Sequence, residues 1–375
     1  MPRRPPPAAL LAALLAAAAG CGSSGGDAFA QAKFAGDRAN SAGRHAEAAA
    51  RYREAAARAR APRDRDEALY LEAATYHRAG DRARAVAAYD ALARASPRGE
   101  RSARARFDAA FLRIEAGDAK GWAELEAALY AHPAAGSARR ALGAIVRHED
   151  EARAGGGLAW LEAARPRLAP TELAEDASYL RAHALARAGR LREARDAFAE
   201  TASRHPYPYG SLTDDAWWNA SLLDEKLGDR AAAVDDLRRL LAPRERAAFG
   251  QGSYERARYD DAQFRLGVLY RDALGDEAAA RREFRRLYRD FPASTLRDDA
   301  LWAEAQLARR AGDRAGLCSI ASDLRANFAE SRYAGCTALL CERVAPSPKA
   351  PPCRAYLQRE WRGEAKAPAD PDPEP

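Results

Sequence analysis

Ala73-Ala74-Thr75-Tyr76-His77-Arg78-Ala79-Gly80-Asp81 reads as the end of one helix and the turn that follows it. A terminal glycine permits the left-handed backbone that caps a helix, and the small residues ahead of it let two helix axes approach where they cross. Past the turn come Ala85 and Tyr89, then Pro97, which cannot continue a helix. The stretch predicts one helix-turn-helix unit, and its punctuation recurs in both directions. Gly43, Gly80, Gly117, Gly155, Gly189, Gly228, Gly275 and Gly312 follow one another at spacings of 37, 37, 38, 34, 39, 47 and 37 residues. A period in this range predicts stacked helical pairs, each sheltering its apolar flank against the next. In such a chain the 375 residues set the number of repeats, and one continuous array is the simplest account.

The unit around Gly80, with Ala73, Ala85, Tyr89 and Pro97, resembles the tetratricopeptide repeat. In that family, small residues sit at the crossing of the two helices, an aromatic plugs the next repeat, and proline ends the second helix. The same offsets hold Ala182, Ala194, Phe198 and Pro206 around Gly189, and Ala280, Phe284 and Pro292 around Gly275, where the turn has one extra residue. The Gly43 unit keeps Ala48 and Tyr52, and the Gly228 unit keeps Trp217, Ala233 and Leu237. The Gly117, Gly155 and Gly312 units are degenerate, with Leu317 where alanine is expected. The resemblance covers Asp27 to Glu342. It implies an all-α, right-handed superhelical solenoid of about eight repeats that binds partners on its concave face; it is specific for fold and unspecific for function. The long 47-residue spacing places an inserted loop at Pro243 to Ser253, a minor candidate for the binding face.

Ahead of the repeats, Arg3 and Arg4, the apolar run Ala8 to Ala19 and small residues up to Gly20 form an export signal. The run is too short to cross a bilayer, which takes about 20 apolar residues. Leu15-Ala16-Ala17-Ala18-Ala19-Gly20-Cys21 resembles the bacterial lipobox, in which cleavage precedes a cysteine that receives lipid. It departs from the pattern at Ala18, where leucine is usual. An ordinary secretory signal with Cys21 incidental is the alternative, but Gly22-Ser23-Ser24-Gly25-Gly26 follows as the flexible tether that an anchored domain needs. Glycine after the cysteine resembles outer-membrane sorting. The expected organisation is a signal peptide over 1–20, a lipid-anchored linker over 21–26, the repeat array over 27–345, and a C-terminal cap segment with a disordered tail over 346–375. With the lipobox, the unit opening Asp298-Asp299-Ala300-Leu301-Trp302 and the closing Asp290-Phe291-Pro292 are similar to periplasmic tetratricopeptide lipoproteins, the outer-membrane β-barrel assembly lipoprotein among them. Eight units exceed what that lipoprotein carries.

The formal charge of +6 falls to +4 when Arg3 and Arg4 leave with the signal. No Lys/Arg run interleaved with aromatics accompanies this mild excess, and an exported protein meets little DNA, so nucleic acid is excluded as a partner. The six histidines are scattered among repeats and join no metal-ligand or nucleophile motif. His148-Glu149-Asp150-Glu151 is the nearest approach to a ligand cluster, but consecutive helical residues point different ways. Gly155 to Gly157 lacks the Lys-Ser/Thr of a phosphate loop. The expectation is a protein without catalytic residues, metal or cofactor.

One first-helix position is aromatic in six units: Tyr70, Phe107, Tyr179, Trp218, Phe264 and Trp302. Repeated through the stack, it forms a line that in tetratricopeptide repeats lies on or beside the concave surface. Three residues earlier the line is acidic at Glu67, Asp176, Asp215, Asp261 and Asp299. One reading is a groove with aromatic rungs and an anionic margin that takes an extended peptide, a partner helix or a glycan. The other is packing between first helices, with carboxylates favoured by the helix dipole. Trp218 is the leading binding candidate because Trp217 beside it supplies packing; alanine at Trp218 and Trp302 is then expected to weaken partner capture and spare helicity.

Cys318, Cys336, Cys341 and Cys353 gather in the last quarter, an even number in an exported chain, which reads as two disulfides. Zinc is the rival, against which stand the absence of a Cys-x-x-Cys pair and of nearby histidine. Cys336 and Cys341, five apart on one expected helix, cannot easily bond each other. If the chain turns back near Ala329 to Ser331, Cys318 faces Cys341, leaving Cys336 to tie down Cys353 as a staple on the last repeat. Two functions of different class follow. The first is a lipid-anchored periplasmic scaffold, at the periplasmic face of the outer membrane, that recruits envelope proteins. The second is a peptidoglycan-associated accessory of a cell-wall hydrolase or division complex.

Overall fold

The computed structural model describes residues 26–246 and 258–364. The export segment, Cys21 with its lipobox, most of the Gly/Ser linker, residues 247–253 of the expected loop and the tail beyond Glu364 lie outside the described residues. Those described form helices and no strand. They run as pairs: α1 (Gly26–Ser41) with α2 (His45–Arg58), α3 (Pro62–Arg78) with α4 (Arg82–Ala95), α5 (Glu100–Glu115) with α6 (Lys120–Ala131), and α7 (Ala138–Ala152) with α8 (Gly156–Leu168). After these come α9 (Ala174–Arg187) with α10 (Leu191–Arg204), α11 (Thr213–Leu227) with α12 (Arg230–Arg246), α13 (Tyr259–Asp272) with α14 (Glu277–Asp290), and α15 (Arg297–Arg310) with α16 (Arg314–Asn327). Pro243, expected to open the loop, instead lies inside α12.

Each of the eight periodic glycines turns a pair, with φ between +67° and +84°. No atom lies within 4 Å of the place a Cβ would take, so backbone conformation alone demands glycine there. The residue after the glycine closes the turn, as when Asp81 N–H donates to Tyr76 O at 3.0 Å and Asp313 N–H to Ala308 O at 2.9 Å. The same aspartates cap the second helix: Asp81, Asp276 and Asp313 accept from the backbone N–H three residues on. Where the two helices cross, Ala73, Ala182 and Ala305 are fully buried, and a Cβ on Gly267 would sit 2.6 Å from the Phe284 ring. Tyr52, Tyr89, Phe198 and Phe284 fill the space from the second helix. Each such ring contributes on the order of 4–6 kcal/mol of hydrophobic burial as an upper estimate.

By contact the chain divides into two compact units, residues 1–177 and 178–375, where one continuous array was expected. The division follows the α7–α8 pair, whose following glycine spacing is the shortest. Within the first unit the second helix of one pair packs on the first helix of the next, α2 on α3 and α4 on α5. The second unit repeats this with α10 on α11, α12 on α13 and α14 on α15.

Both disulfides pair as the spacing argued, Cys318 with Cys341 and Cys336 with Cys353, at Cα separations of 4.8 and 4.7 Å. The helix expected to carry Cys336 and Cys341 is not continuous. A 3-10 turn (Ala334–Cys336) leads into the single turn α17 (Thr337–Leu340), and Cys341 is extended. Pro351 O crosses 2.0 Å from where a Cβ on Gly335 would stand, so the returning chain occupies the space a longer helix needs. That chain ends in α18 (Ala355–Arg362), which buries Leu357 in the core of α15, α16 and the cap.

Candidate functional site

The aromatic line belongs to the first helices α3, α5, α9, α11, α13 and α15. Tyr70, Phe107, Trp218 and Trp302 are buried, while Tyr179 and Phe264 are half-buried. Their contacts show what fills them. Tyr70 donates to Asp108 of α5 at 2.7 Å, and Asn219 of α11 donates to the Tyr179 hydroxyl at 3.0 Å. Arg258, just ahead of α13, lies 5.6 Å over Trp218. The line thus ties α3 to α5, α9 to α11, and α11 to the start of α13. Trp302 has no ninth first helix to meet, and the cap supplies Tyr333, stacked at 4.9 Å, and Trp361 at 5.6 Å. Trp217 is also buried, so it does not free Trp218 for a ligand.

The carboxylates of the expected anionic margin are engaged in the same junctions. Glu67 pairs with Arg101, Asp176 with Arg139 at 3.0 Å, Asp215 with Arg258 at 3.1 Å, and Asp299 with Arg332 and the Tyr333 hydroxyl. Asp261 lies 3.9 Å from Arg258. Burial raises the Asp176 and Asp261 carboxyls above their ordinary values and pushes the Tyr179 hydroxyl up to about 12.

The sequence reading passed over the acid that precedes several of these carboxylates. Asp66, Asp260 and Asp298 each accept from a serine in the loop after the second helix: Ser96 at 2.7 Å, Ser294 at 2.7 Å and Ser331 at 2.5 Å. Ser294 and Ser331 also accept from Leu296 N–H and Tyr333 N–H, so each hydroxyl ties the loop to the next helix start. The signal was present as an acidic doublet before alanine, at Asp66-Glu67-Ala68, Asp260-Asp261-Ala262 and Asp298-Asp299-Ala300, with serine 30 to 34 residues beyond the first acid.

With the aromatics and acids engaged by neighbouring helices, the next helical turn lies four residues beyond the line. Ala74, Phe111, His183, Val268 and Gln306 are half-buried there, and only Leu222 is buried. Arg140 covers the Phe111 ring at 4.2 Å, and His183 packs edge-on against Tyr179 and Phe198 at 4.7 and 4.9 Å. Burial, with Arg187 acting in the same direction, lowers the His183 pKa. Two clefts of 570 and 870 Å3 in the first unit share Arg98, Gly99, Glu100 and Arg101. The loop between α10 and α11 presents Tyr209, 91% exposed. Among the described residues no three His, Cys, Asp or Glu side chains group closely enough to hold a metal, and no helix is long and apolar enough to cross a membrane.

Residues 67–98 and 261–294, which cover most of α3 and α13, all of α4 and α14 and the turns after them, match the family model described as tetratricopeptide repeat. No match was found among curated proteins. Among solved structures the chain is similar to the C-terminal part of a TPR repeat-containing protein from Cytophaga hutchinsonii, at 13% identity and a TM-score of 0.42 over 71% of this chain and 98% of that one. PilW, described as a widely conserved type IV pilus biogenesis factor, is 16% identical, with a TM-score of 0.30 over 71% of this chain and 94% of its own. The TPR2AB domain of yeast Sti1, in its Hsp90 complex, is 14% identical, with a TM-score of 0.29 over 75% and 98%. The matched segments and the helix pairs give a tetratricopeptide-like, all-α repeat fold, an architecture of protein–protein interaction scaffolds.

Proposed function

We propose that this protein is a non-enzymatic, lipid-anchored scaffold of the cell envelope that captures protein partners on the exposed face of its first helices. One observation carries the reading. The row at Ala74, Phe111, His183, Val268 and Gln306 keeps partial exposure and changes chemistry from repeat to repeat, while the aromatic and acidic rows beside it are largely taken up by partners on neighbouring helices. A surface that varies along a constant frame suits an extended peptide or a partner helix read one repeat at a time. The lipobox-like Cys21 and the Gly/Ser tether support anchoring at the periplasmic face of the outer membrane.

Pull-down from detergent-solubilised envelopes tests it. Tagged wild type is expected to enrich a discrete set of envelope proteins, and the Val268→Glu variant, altered at a half-buried position of the row, is expected to lose them at least tenfold with its helicity unchanged. Equal recovery by both proteins sinks the proposed face. A second reading, association with peptidoglycan, is favoured by the exposed Tyr209 ring, since aromatic faces stack on sugars. Retention on purified sacculi without protein enrichment would replace the first reading with this one.

A further inference from the structure

The second unit contains a buried cluster that neither packing nor the proposed partner face uses. Asp236 of α12 is completely buried. From α10, Arg195 reaches into the cluster and spans Asp224 of α11, with Nε to Oδ1 at 2.8 Å and Nη2 to Oδ2 at 3.1 Å. Its Nη2 stops 3.5 Å from Asp236 Oδ2, and that oxygen has no hydrogen-bond partner. The other oxygen of Asp236 takes Arg239 Nη1 at 3.1 Å, from a side chain that is 56% exposed and lies over the Trp217 ring. From α13, Arg265 pairs with Glu225, and Tyr270 accepts from Arg238. Two buried carboxyls therefore divide the half-buried Arg195 guanidinium, which also meets the exposed Asp196 at 3.4 Å, and the more exposed Arg239, and Asp224 has the better share.

A second wedge in the same unit provides the contrast. Arg285 of α14 reaches Glu304 of α15 and Asp323 of α16, both at 2.8 Å. Glu304 is buried as Asp236 is, and burial raises its carboxyl too, but Asp323 keeps 28% of its side chain in solvent, so one acid of this pair is both paired and hydrated. Asp236 has neither full pairing nor water. Ionised, it leaves an orphan oxygen beside the Asp224 carboxylate; protonated, it becomes a donor and Asp224 is the acceptor at hand.

We propose that Asp236, Asp224 and Arg195 form a proton-operated joint that closes α12 onto α10 and α11 when Asp236 carries its proton and loosens α12 when the proton leaves. The inference is independent of the anchor and of the partner. Burial, with the Asp224 charge acting in the same direction against Arg195, pushes the Asp236 carboxyl up to about 7. A carboxyl raised in the folded state binds its proton more tightly there than in the open chain, where it titrates near pH 4. The stabilisation is therefore complete below about pH 4 and is lost as pH rises toward 7, above which stability no longer changes.

Hydrogen exchange of the full chain from pH 5 to 8 tests this, comparing wild type with Asp236→Asn, whose amide donates to Asp224 without titrating. Intrinsic exchange cancels in the ratio of the two rates. At the α12 amides, the wild-type rate relative to the variant is expected to rise about tenfold per pH unit up to pH 7 and then level off, the amides of α14 and α16 showing no such trend. A constant ratio overturns the proposal. Should the variant fail to fold, carboxyl carbon NMR of the wild type decides: an Asp236 midpoint near 7 supports the joint, and one near 4 removes it.

Discussion

Trp218 and Trp302 show how one residue type serves either of two roles depending on what lies across from it. Both belong to a line that the sequence marks plainly, and both are interior, held between successive first helices or under the cap. The expected loss of partner capture with intact folding on their replacement gives way to a loss of stability. Trp218→Ala removes a buried ring from a junction and is expected to cost about 3–5 kcal/mol, measured by urea unfolding followed by circular dichroism; a change under about 1 kcal/mol would return Trp218 to the surface. The line itself was legible because its offset from the turn glycine is constant. Its burial was not, because whether a ring meets solvent depends on Asp108, Asn219 or Arg258 approaching from the next repeat, 38 to 40 residues away in sequence. The acidic line carries the same lesson: its carboxylates read as a margin until their arginine partners are seen.

At the scale of elements, the Gly-Asp turn is the most local and the most legible feature. Glycine supplies the left-handed cap of one helix and aspartate the N-cap of the next, so two adjacent residues end one element and start another. The C-terminal cap is the opposite case. Cysteine spacing gave the right pairing, yet the regular helix assumed in reaching it is broken at Gly335 by the returning chain. A bridge closing 17 residues stabilises by about 3 kcal/mol in the loop-entropy view. The Cys336→Ser/Cys353→Ser variant is expected to lose about that much and to raise hydrogen exchange in α18 first, because an eight-residue helix is marginal without its tether. Uniform loss of protection along the chain, with α18 no different, would show that the staple serves the whole unit instead of the cap.

At the scale of the whole molecule, the division at residues 177 and 178 falls within α9, just after the degenerate Gly155 pair, which lacks the consensus plug. The anchoring proposal belongs to this scale as well. Cys21→Ser is expected to move the protein from the membrane fraction to the soluble periplasmic fraction and to abolish labelling by radioactive palmitate. Persistence of both signals in the variant would exclude lipidation at that cysteine.

The sequence by itself determined the helical period, the position of each turn, the caps and the disulfide partners, because each depends on a residue and its neighbours along the chain or on a spacing that chain geometry limits. Tertiary structure decided which aromatics and carboxylates remain for a partner, and which acid is left without a full counter-charge. Those outcomes depend on solvent exclusion by residues from the adjacent repeat, and dielectric environment is a property of the packed neighbourhood that no single segment encodes.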